Sequence, residues 1–249
     1  MQFNQTKALS LLGTLALALT ILPASMQAGR IVVNHDEWTT SNTGYTQAGA
    51  ANAGNFAVNL ANFLAGPGGN ILIYSADFSL NESSLNTSLT TAGFNLTFST
   101  GAFNLAGFDA VFLAGNPFAK NDTTLANFVN SGGGVYIAAG TGFGGAVGEA
   151  AQWNSFLAPF GLQFGNTYNG CCGNNAIDNA AHPLFGGVSQ LYYNNGNTVT
   201  ASGPFSSVVE NGAGLGLIGV YNNSVPEPST YLLLGAGLLA LGLKRRASR

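Results

Sequence analysis

Five short apolar runs, separated by helix-like stretches, constrain the fold of this chain more than any other feature. Each run is almost continuously apolar, which is typical of strands that are buried on both faces. Strands that alternate with helical segments favour a parallel sheet flanked by helices. The sequence therefore predicts an α/β fold with strands at residues 30–34, 70–76, 95–99, 109–115 and 134–140.

Helical patterns occupy much of the sequence between these runs. Apolar residues repeat three or four apart, and polar capping residues or glycines stand at the ends. Asn121 or Asp122 can cap one helix, and Gly93 can end another in a left-handed conformation. We predict helices within residues 47–64, 81–94, 121–134 and 149–157.

After Gly161 the sequence pattern changes from alternating strands and helices to short β-rich runs separated by turns. Asn195 and Gly196 form a pair that favours a tight hairpin turn. We expect these later runs to extend the central sheet or to form a small β layer. The prediction is a single body at residues 29–221, followed by a linker at residues 222–225.

The first 28 residues have the layout of a secretory signal peptide. Lys7 precedes an apolar run at residues 8–22, and small residues follow as far as Ala28, where we place cleavage. An uncleaved membrane anchor is the alternative, although the apolar run is short for a membrane span. Both interpretations predict an exported body.

A second apolar run lies near the end of the chain, at residues 231–243. As a helix these 13 residues cover about 20 Å, against a hydrocarbon thickness of about 30 Å. Cations that follow such a run stay on the cytoplasmic side, so we expect a short transmembrane helix with the body outside. Pro226 and Pro228 cannot both lie inside a helix, which predicts an extended segment that a protease can reach.

This tail resembles the PEP-CTERM sorting signal of bacterial proteins that membrane-embedded exosortases process. The resemblance covers residues 226–249, about a tenth of the chain, and joins a Pro-Glu-Pro box, an apolar run and a basic cluster in fixed order. It implies export, transient contact with an exosortase, removal of the tail, and delivery to the cell surface or its exopolysaccharide. A plain C-terminal anchor is the alternative. The matching residues are Val225, Pro226, Glu227, Pro228, Ser229, Lys244, Arg245 and Arg246.

The charge of the body argues against a nucleic-acid partner. Between residues 29 and 224 only Arg30 and Lys120 are cationic, against nine Asp and Glu residues, so the formal charge of this part is −7. Phosphate binding requires clustered Lys and Arg side chains. Charged residues make up only 7% of the chain, so amides and hydroxyls must solvate most of the surface.

The body also resembles the class I glutamine amidotransferase-like family, in the stretches "NILIYSADFS", "FDAVFLAGNPF", "LANFVNSGGGVYIAAGTG" and "HPLFGGV". This resemblance implies a single flavodoxin-like domain, with extra strands toward the C-terminus before the hydrophobic helix. The family's nucleophilic cysteine would follow the "GGGVYIAAG" strand, but Gly140 and Thr141 stand there. The family's late His-Pro-Glu is replaced by a stretch that begins with His182 and has Leu184 in place of Glu. Amidotransferase activity is therefore not expected.

Polar residues that follow the predicted strands mark a candidate ligand crevice, because open parallel sheets bind ligands beyond the carboxyl ends of their strands. Such a crevice would be acidic and lined with amides, which suits a divalent cation or a hydroxyl-rich sugar. The alternative is that the first three residues only cap a helix and pair with backbone. The residues are His35, Asp36, Glu37, Asp77, Asn116 and Thr141.

Two adjacent cysteines, Cys171 and Cys172, lie in the glycine-flanked stretch "YNGCCGNN". Export places them in an oxidising compartment, so we expect a vicinal disulfide. A nucleophilic pair of one cysteine with His182 is the alternative, but no third orienting group is identifiable. The sequence predicts no metal site and no cofactor.

Taken together, these patterns predict an exported, non-enzymatic protein of the cell surface or extracellular matrix, with exopolysaccharide as a candidate partner. The alternative is a secreted hydrolase or carbohydrate-active enzyme that uses the acidic crevice. A third interpretation is a ligand-sensing module that retains the crevice without chemistry.

Overall fold

A seven-stranded mixed sheet forms the centre of the protein in this computed structural model, which describes residues 29–116 and 119–223 together with Gly235. Residues Ala28–Asn223 form one compact unit. The strands are β1 Arg30–Asn34, β2 Asn70–Ile73, β3 Asn95–Phe98, β4 Ala110–Ala114, β5 Gly134–Ala138, β6 Leu162–Asn169, β7 Gly173–Ala176, β8 Gln190–Tyr193, β9 Gly196–Ala201, β10 Ser206–Gly212 and β11 Leu215–Asn222.

The five predicted strands form the parallel part of this sheet. The full order is β10-β11-β1-β5-β4-β2-β3, in which every pair from β1 to β3 is parallel and β10 and β11 are antiparallel to their neighbours. The predicted α/β class with a mostly parallel sheet is therefore confirmed. A flavodoxin-like layout is not, because its order is 2-1-3-4-5 whereas the parallel strands here run 3-2-4-5-1.

Within residues 29–116 and 119–223, six α-helices and three short 3₁₀ helices accompany the strands. The predicted helix at residues 47–64 is divided in two by Gly49, whose φ of 87° lies outside the helical region. Asn121, rather than Asp122, caps the fifth helix by accepting from the Thr124 amide at 2.9 Å. The α-helices are α1 Asn42–Ala48, α2 Ala50–Ala65, α3 Phe78–Asn81, α4 Ser83–Thr91, α5 Asp122–Asn130 and α6 Gly145–Leu157, and the 3₁₀ helices are Glu37–Thr40, Ala158–Phe160 and Pro183–Phe185.

The helices cover both faces of the sheet, and each face has its own apolar core. On one face Val32 and Phe112 pack with buried side chains of α2 and α4. On the other face Ile31 and Val33 pack with Leu125 of α5 and with buried side chains of α6. Neighbouring residues of one strand thus enter opposite cores, as the two-residue period of a strand requires. Because both faces of the sheet are buried, both alternating sets of side chains in these strands are apolar, which gives the continuous apolar runs in the sequence.

The strands after Gly161 both extend the central sheet and form small separate sheets, which are the two arrangements that the sequence predicted. β10 and β11 extend the central sheet beside β1, whereas β6 with β9 and β7 with β8 form two-stranded sheets of their own. The predicted hairpin turn at Asn195 and Gly196 is wrong, because β8 and β9 on either side of it pair with different strands. Gly196 has a different role, since a Cβ atom there would lie 1.6 Å from the carbonyl oxygen of His35.

Several predictions fall outside the described residues. They concern the signal peptide at residues 1–28, the sorting signal at residues 226–249 and the hydrophobic helix at residues 231–243. The predicted linker begins at Asn222, which is the last residue of β11. Within the part of the chain that the structure describes, no helix combines the length and the hydropathy that crossing a membrane requires.

Candidate functional site

The carboxyl ends of the parallel strands bring most of the predicted crevice residues to one edge of the sheet. Asp36 and Glu37 follow β1, Asp77 follows β2, Asn116 follows β4 and Thr141 follows β5. We call this the carboxyl edge. It forms because all five strands run in the same direction, so their ends and the polar residues after them must converge.

Asp36 joins three segments at this edge. Its Oδ1 accepts from the amide of Trp38 at 3.2 Å and so caps the 3₁₀ helix Glu37–Thr40, while its Oδ2 accepts from the amide of Asn194. A Cβ atom on Gly140 would lie 3.1 Å from Asp36 Oδ1, which shows how closely the turn after β5 approaches. Burial raises the pKa of Asp36 to about 7, although these amide hydrogen bonds act to lower it.

Glu37 after β1 and Asp77 after β2 form a carboxyl pair, although β5 and β4 lie between these two strands in the sheet. Glu37 is only 5% exposed, and its Oε2 has no hydrogen-bond partner among the described residues. The pKa of Glu37 is raised to about 10, mainly by burial and to a smaller extent by the hydrogen bond with the Asp77 carboxyl and the charges of Asp77, Asp36 and Glu149. At neutral pH Glu37 therefore holds a proton that it can donate to Asp77.

Asp77 is the more accessible member of this pair, and its position is fixed from two sides. Its Oδ1 accepts from the amide of Ser79 at 2.9 Å and from the Ser79 hydroxyl at 2.6 Å, which caps the short helix α3. Across the neighbouring strand end, a Cβ atom on Gly115 would lie 3.6 Å from the Asp77 Cβ. The ends of β2 and β4 therefore meet at Asp77.

Glu149 is a central residue of the carboxyl edge that the sequence analysis did not place there. It lies in α6 with only 1% exposure, and its carboxylate accepts from the amides of Gly140 at 2.8 Å and Thr141 at 2.7 Å. It also accepts from the hydroxyl of Thr141. Glu149 therefore closes the turn after β5. In the sequence, Glu149 is the one acidic residue of the helix that follows β5, and this is the feature that could have indicated its role.

Tyr168 in β6 is a second residue that the sequence analysis missed. Burial, followed by the charges of Glu149 and Glu37, raises the pKa of Tyr168 to about 12. Its hydroxyl is buried, and the described residues offer it no hydrogen-bond partner. No sequence pattern points to Tyr168, because its strand β6 is positioned by pairing with β9 and by the hydrogen bonds of Asn154 in α6 to Phe164.

His35 and Asn116 are the two predicted crevice residues that stand apart from the carboxylates. His35 is fully buried, its ring lies 5.2 Å from that of Tyr193, and neither ring nitrogen has a partner within the described ranges. Burial lowers the pKa of His35 to about 4, so the ring is neutral at physiological pH. Asn116 is half-buried at the same edge. Neither residue is a direct member of the carboxylate cluster.

The turn after β5 is where an amidotransferase would present its nucleophile. Here Gly140 has a φ of 76°, and both its amide and that of Thr141 are engaged by Glu149. An oxyanion hole needs free amide donors, and a nucleophile needs a neighbouring base to activate it. Because the carboxylate occupies these amides, the turn has the hydrogen bonding of a structural turn.

The sulfur atoms of Cys171 and Cys172 lie side by side just before β7, and the vicinal disulfide stays a prediction. His182 does not serve as their partner base, because its Nδ1 accepts from the amide of Leu184 and its ring packs between Phe63 and Phe185. Burial lowers the pKa of His182. Throughout the described ranges, no three Asp, Glu, His or Cys side chains are arranged to hold a metal ion.

The described body is thus an α/β protein with a buried carboxylate cluster at the carboxyl edge of its sheet. Residues 224–246 match the family model of the PEP-CTERM protein-sorting motif. This match confirms the predicted sorting signal and indicates an exported protein that passes through the membrane and is processed by an exosortase, a membrane protease. Comparison with curated proteins and with solved structures finds no match, so the amidotransferase-like resemblance is not confirmed.

Proposed function

We propose that this protein is a non-enzymatic component of the cell surface or of the extracellular matrix, where its α/β body associates with exopolysaccharide after the tail has been removed. The sorting motif brings the chain to the exosortase at the membrane. The body between residues 29 and 224 carries a formal charge of −7, which suits a soluble domain outside the cell and not one that binds nucleic acid.

The observation that carries the non-enzymatic role is the use of the carboxylates at the carboxyl edge. Asp36 caps a 3₁₀ helix, Asp77 caps α3, and Glu149 closes the turn after β5. Each of these groups accepts hydrogen bonds from backbone amides close to it in the fold, so each is part of the scaffold. Stable turns of this kind can present a rigid surface to a polymer without performing chemistry on it.

The experiment uses the protein purified from its native host and from a strain of that host without its exosortase. Intact mass should place the mature N-terminus after Ala28 and should show loss of the tail only where the exosortase is present. The mature protein should co-sediment with the host's exopolysaccharide without releasing new reducing ends. An unprocessed chain from Met1 to Arg249, or a protein that does not bind the polymer, would contradict the proposal.

A second candidate function, a secreted hydrolase, is favoured by the carboxyl pair of Glu37 and Asp77. Two contacting carboxyls that share a proton are the arrangement that aspartic proteases use, whereas the carboxyls of glycoside hydrolases stand about 5–9.5 Å apart. Hydrolysis of a peptide or glycan substrate that is lost in Glu37→Gln and in Asp77→Asn would establish this function. The matched control is Asp178→Asn, which changes an exposed carboxylate outside the carboxyl edge.

The flavodoxin-like, amidotransferase-like origin of the body is also a proposal. It is supported by the strand order 3-2-4-5-1, which becomes the flavodoxin-like order 2-1-3-4-5 if the first strand is counted after the fifth. An experimental structure in which β1 does not lie beside β5 would remove this support.

A further inference from the structure

Exposed apolar side chains are concentrated at the carboxyl edge. Among the described residues, five large hydrophobic side chains are exposed, and four of them lie at or next to this edge. Phe78 follows Asp77, Phe98 ends β3, Phe143 follows the turn after β5, and Val147 lies in the first turn of α6; their exposed fractions are 37%, 48%, 50% and 64%. Phe205, which is 51% exposed, lies at the opposite edge, before β10.

Aromatic rings directly flank the carboxyl pair. Trp38 follows Glu37 and Phe78 follows Asp77 in the sequence, and the two rings meet edge to face with their centres 5.0 Å apart. On the side of β5, Phe143 lies two residues after Thr141, to whose hydroxyl its amide donates at 3.4 Å. Apolar clusters with a polar centre are typical of interaction surfaces rather than of plain solvated surface.

The polar centre of this surface is the Asp77 carboxylate, which is half-exposed and can accept further hydrogen bonds. Glu37 beside it is buried, and its Oε2 is closed to solvent, so Glu37 supports Asp77 from below the surface. Hydroxyl groups of a ligand can donate to Asp77, while the aromatic faces would contact its C–H groups.

We propose that the carboxyl-edge surface formed by Trp38, Phe78 and Phe143 around Asp77 is a glycan-binding site for a neutral polysaccharide chain. This inference rests on the proposed function and identifies the surface and the class of polymer. A neutral chain is required because the surrounding body has a formal charge of −7, which repels uronate, sulfate and phosphate groups on acidic polymers.

The test measures binding of the host's exopolysaccharide, separated by anion exchange into neutral and acidic fractions, to the processed protein from the native host. Affinity electrophoresis gives dissociation constants for the wild type, Phe78→Ala, Phe143→Ala and Phe205→Ala. Phe205 is the matched control, because it is as exposed as Phe143 but lies at the opposite edge. Truncating exposed rings leaves the fold intact, which circular dichroism verifies.

We expect binding to the neutral fraction, about three- to tenfold weaker for Phe78→Ala and for Phe143→Ala, and unchanged for Phe205→Ala. If the wild type binds and neither Phe78→Ala nor Phe143→Ala binds more weakly, this site is wrong but the proposed function stands. Binding to the acidic fraction alone would have the same consequence. Binding to neither fraction would overturn the exopolysaccharide association itself. A dimer that dissociates in Phe143→Ala would assign the surface to a second copy of the chain and overturn the glycan site.

Discussion

The carboxyl groups of Glu37 and Asp77 interact at the carboxyl edge, although the strands that they follow, β1 and β2, are separated in the sheet by β5 and β4. Burial is the main cause that raises the pKa of Glu37 to about 10, and the hydrogen bond with Asp77 and the charge of Asp77 contribute to the same shift. The pair thus joins segments that follow two strands without a direct contact in the sheet. It also makes the stability of the body depend on pH.

The first prediction is that the free energy of unfolding falls as the pH rises from 6.5 to 10. Folded-state pKa values are raised to about 7 for Asp36 and Glu210 and to about 10 for Glu37, each mainly by burial. The stability that these protonated groups contribute is complete below their unfolded pKa of about 4 and is lost as the pH rises through the folded values. We expect a loss of at least about 2 kcal/mol, measured by urea unfolding at constant ionic strength.

His35 acts in the opposite direction but in a different window. Burial lowers its folded-state pKa to about 4, so the stability that its neutral form contributes is present above about pH 6.5 and is lost as the pH falls toward 4. Above pH 6.5 it does not oppose the carboxyl groups. Glu37→Gln should flatten the decline between pH 7.5 and 10, whereas the exposed Asp178→Asn should leave it in place. An equal decline in Glu37→Gln would show that another group causes it.

The second prediction concerns the turn after β5. Glu149→Gln replaces one acceptor oxygen by an amide that cannot accept from the backbone, so a half-buried N–H group of Gly140 or Thr141 loses its partner. We expect a destabilisation of about 1.5–3 kcal/mol in urea unfolding, against about 1 kcal/mol for Thr141→Val. Val147→Ala on the same helix is the control and should change stability by less than about 0.5 kcal/mol, since Val147 is 64% exposed. Equal effects of Glu149→Gln and Val147→Ala would contradict the role of Glu149.

The elements that could be predicted from the sequence are those whose signal is local. Apolar runs gave the parallel strands, and Asp36 and Asp77 were identifiable because they directly follow strands in a sheet of one direction. Glu149 was missed because it contacts the turn from a helix, eight and nine residues beyond Thr141 and Gly140. The hairpin predicted at Asn195 and Gly196 does not form, because β8 pairs with β7 and β9 pairs with β6, and this pairing outweighs the local turn preference.

The third prediction follows from the packing of Gly196 against β1. An added Cβ atom would lie 1.6 Å from the His35 carbonyl oxygen and 2.6 Å from its carbon, so the loop before β9 must move away from β1. We expect Gly196→Ala to lower the free energy of unfolding by more than about 3 kcal/mol or to prevent folding. Gly170→Ala is the control, because nothing lies within 4 Å of its Cβ position. Similar melting temperatures for the two variants would contradict the close approach.

The fourth prediction concerns processing of the tail. Alanine at Pro226, Glu227 and Pro228 removes the helix breakers, and the sequence then allows a helix over residues 226–243, about 27 Å long and close to the hydrocarbon thickness of about 30 Å. Because the segment would lie inside the membrane as a helix, the exosortase should not cleave it. Intact mass from the native host should show a retained tail in the membrane fraction.

Removal of residues 247–249, which follow the matched motif, is the control and should leave processing unchanged. Cleavage of the alanine variant at the wild-type rate would show that the enzyme reads some other feature of residues 224–246 than an extended Pro-Glu-Pro box.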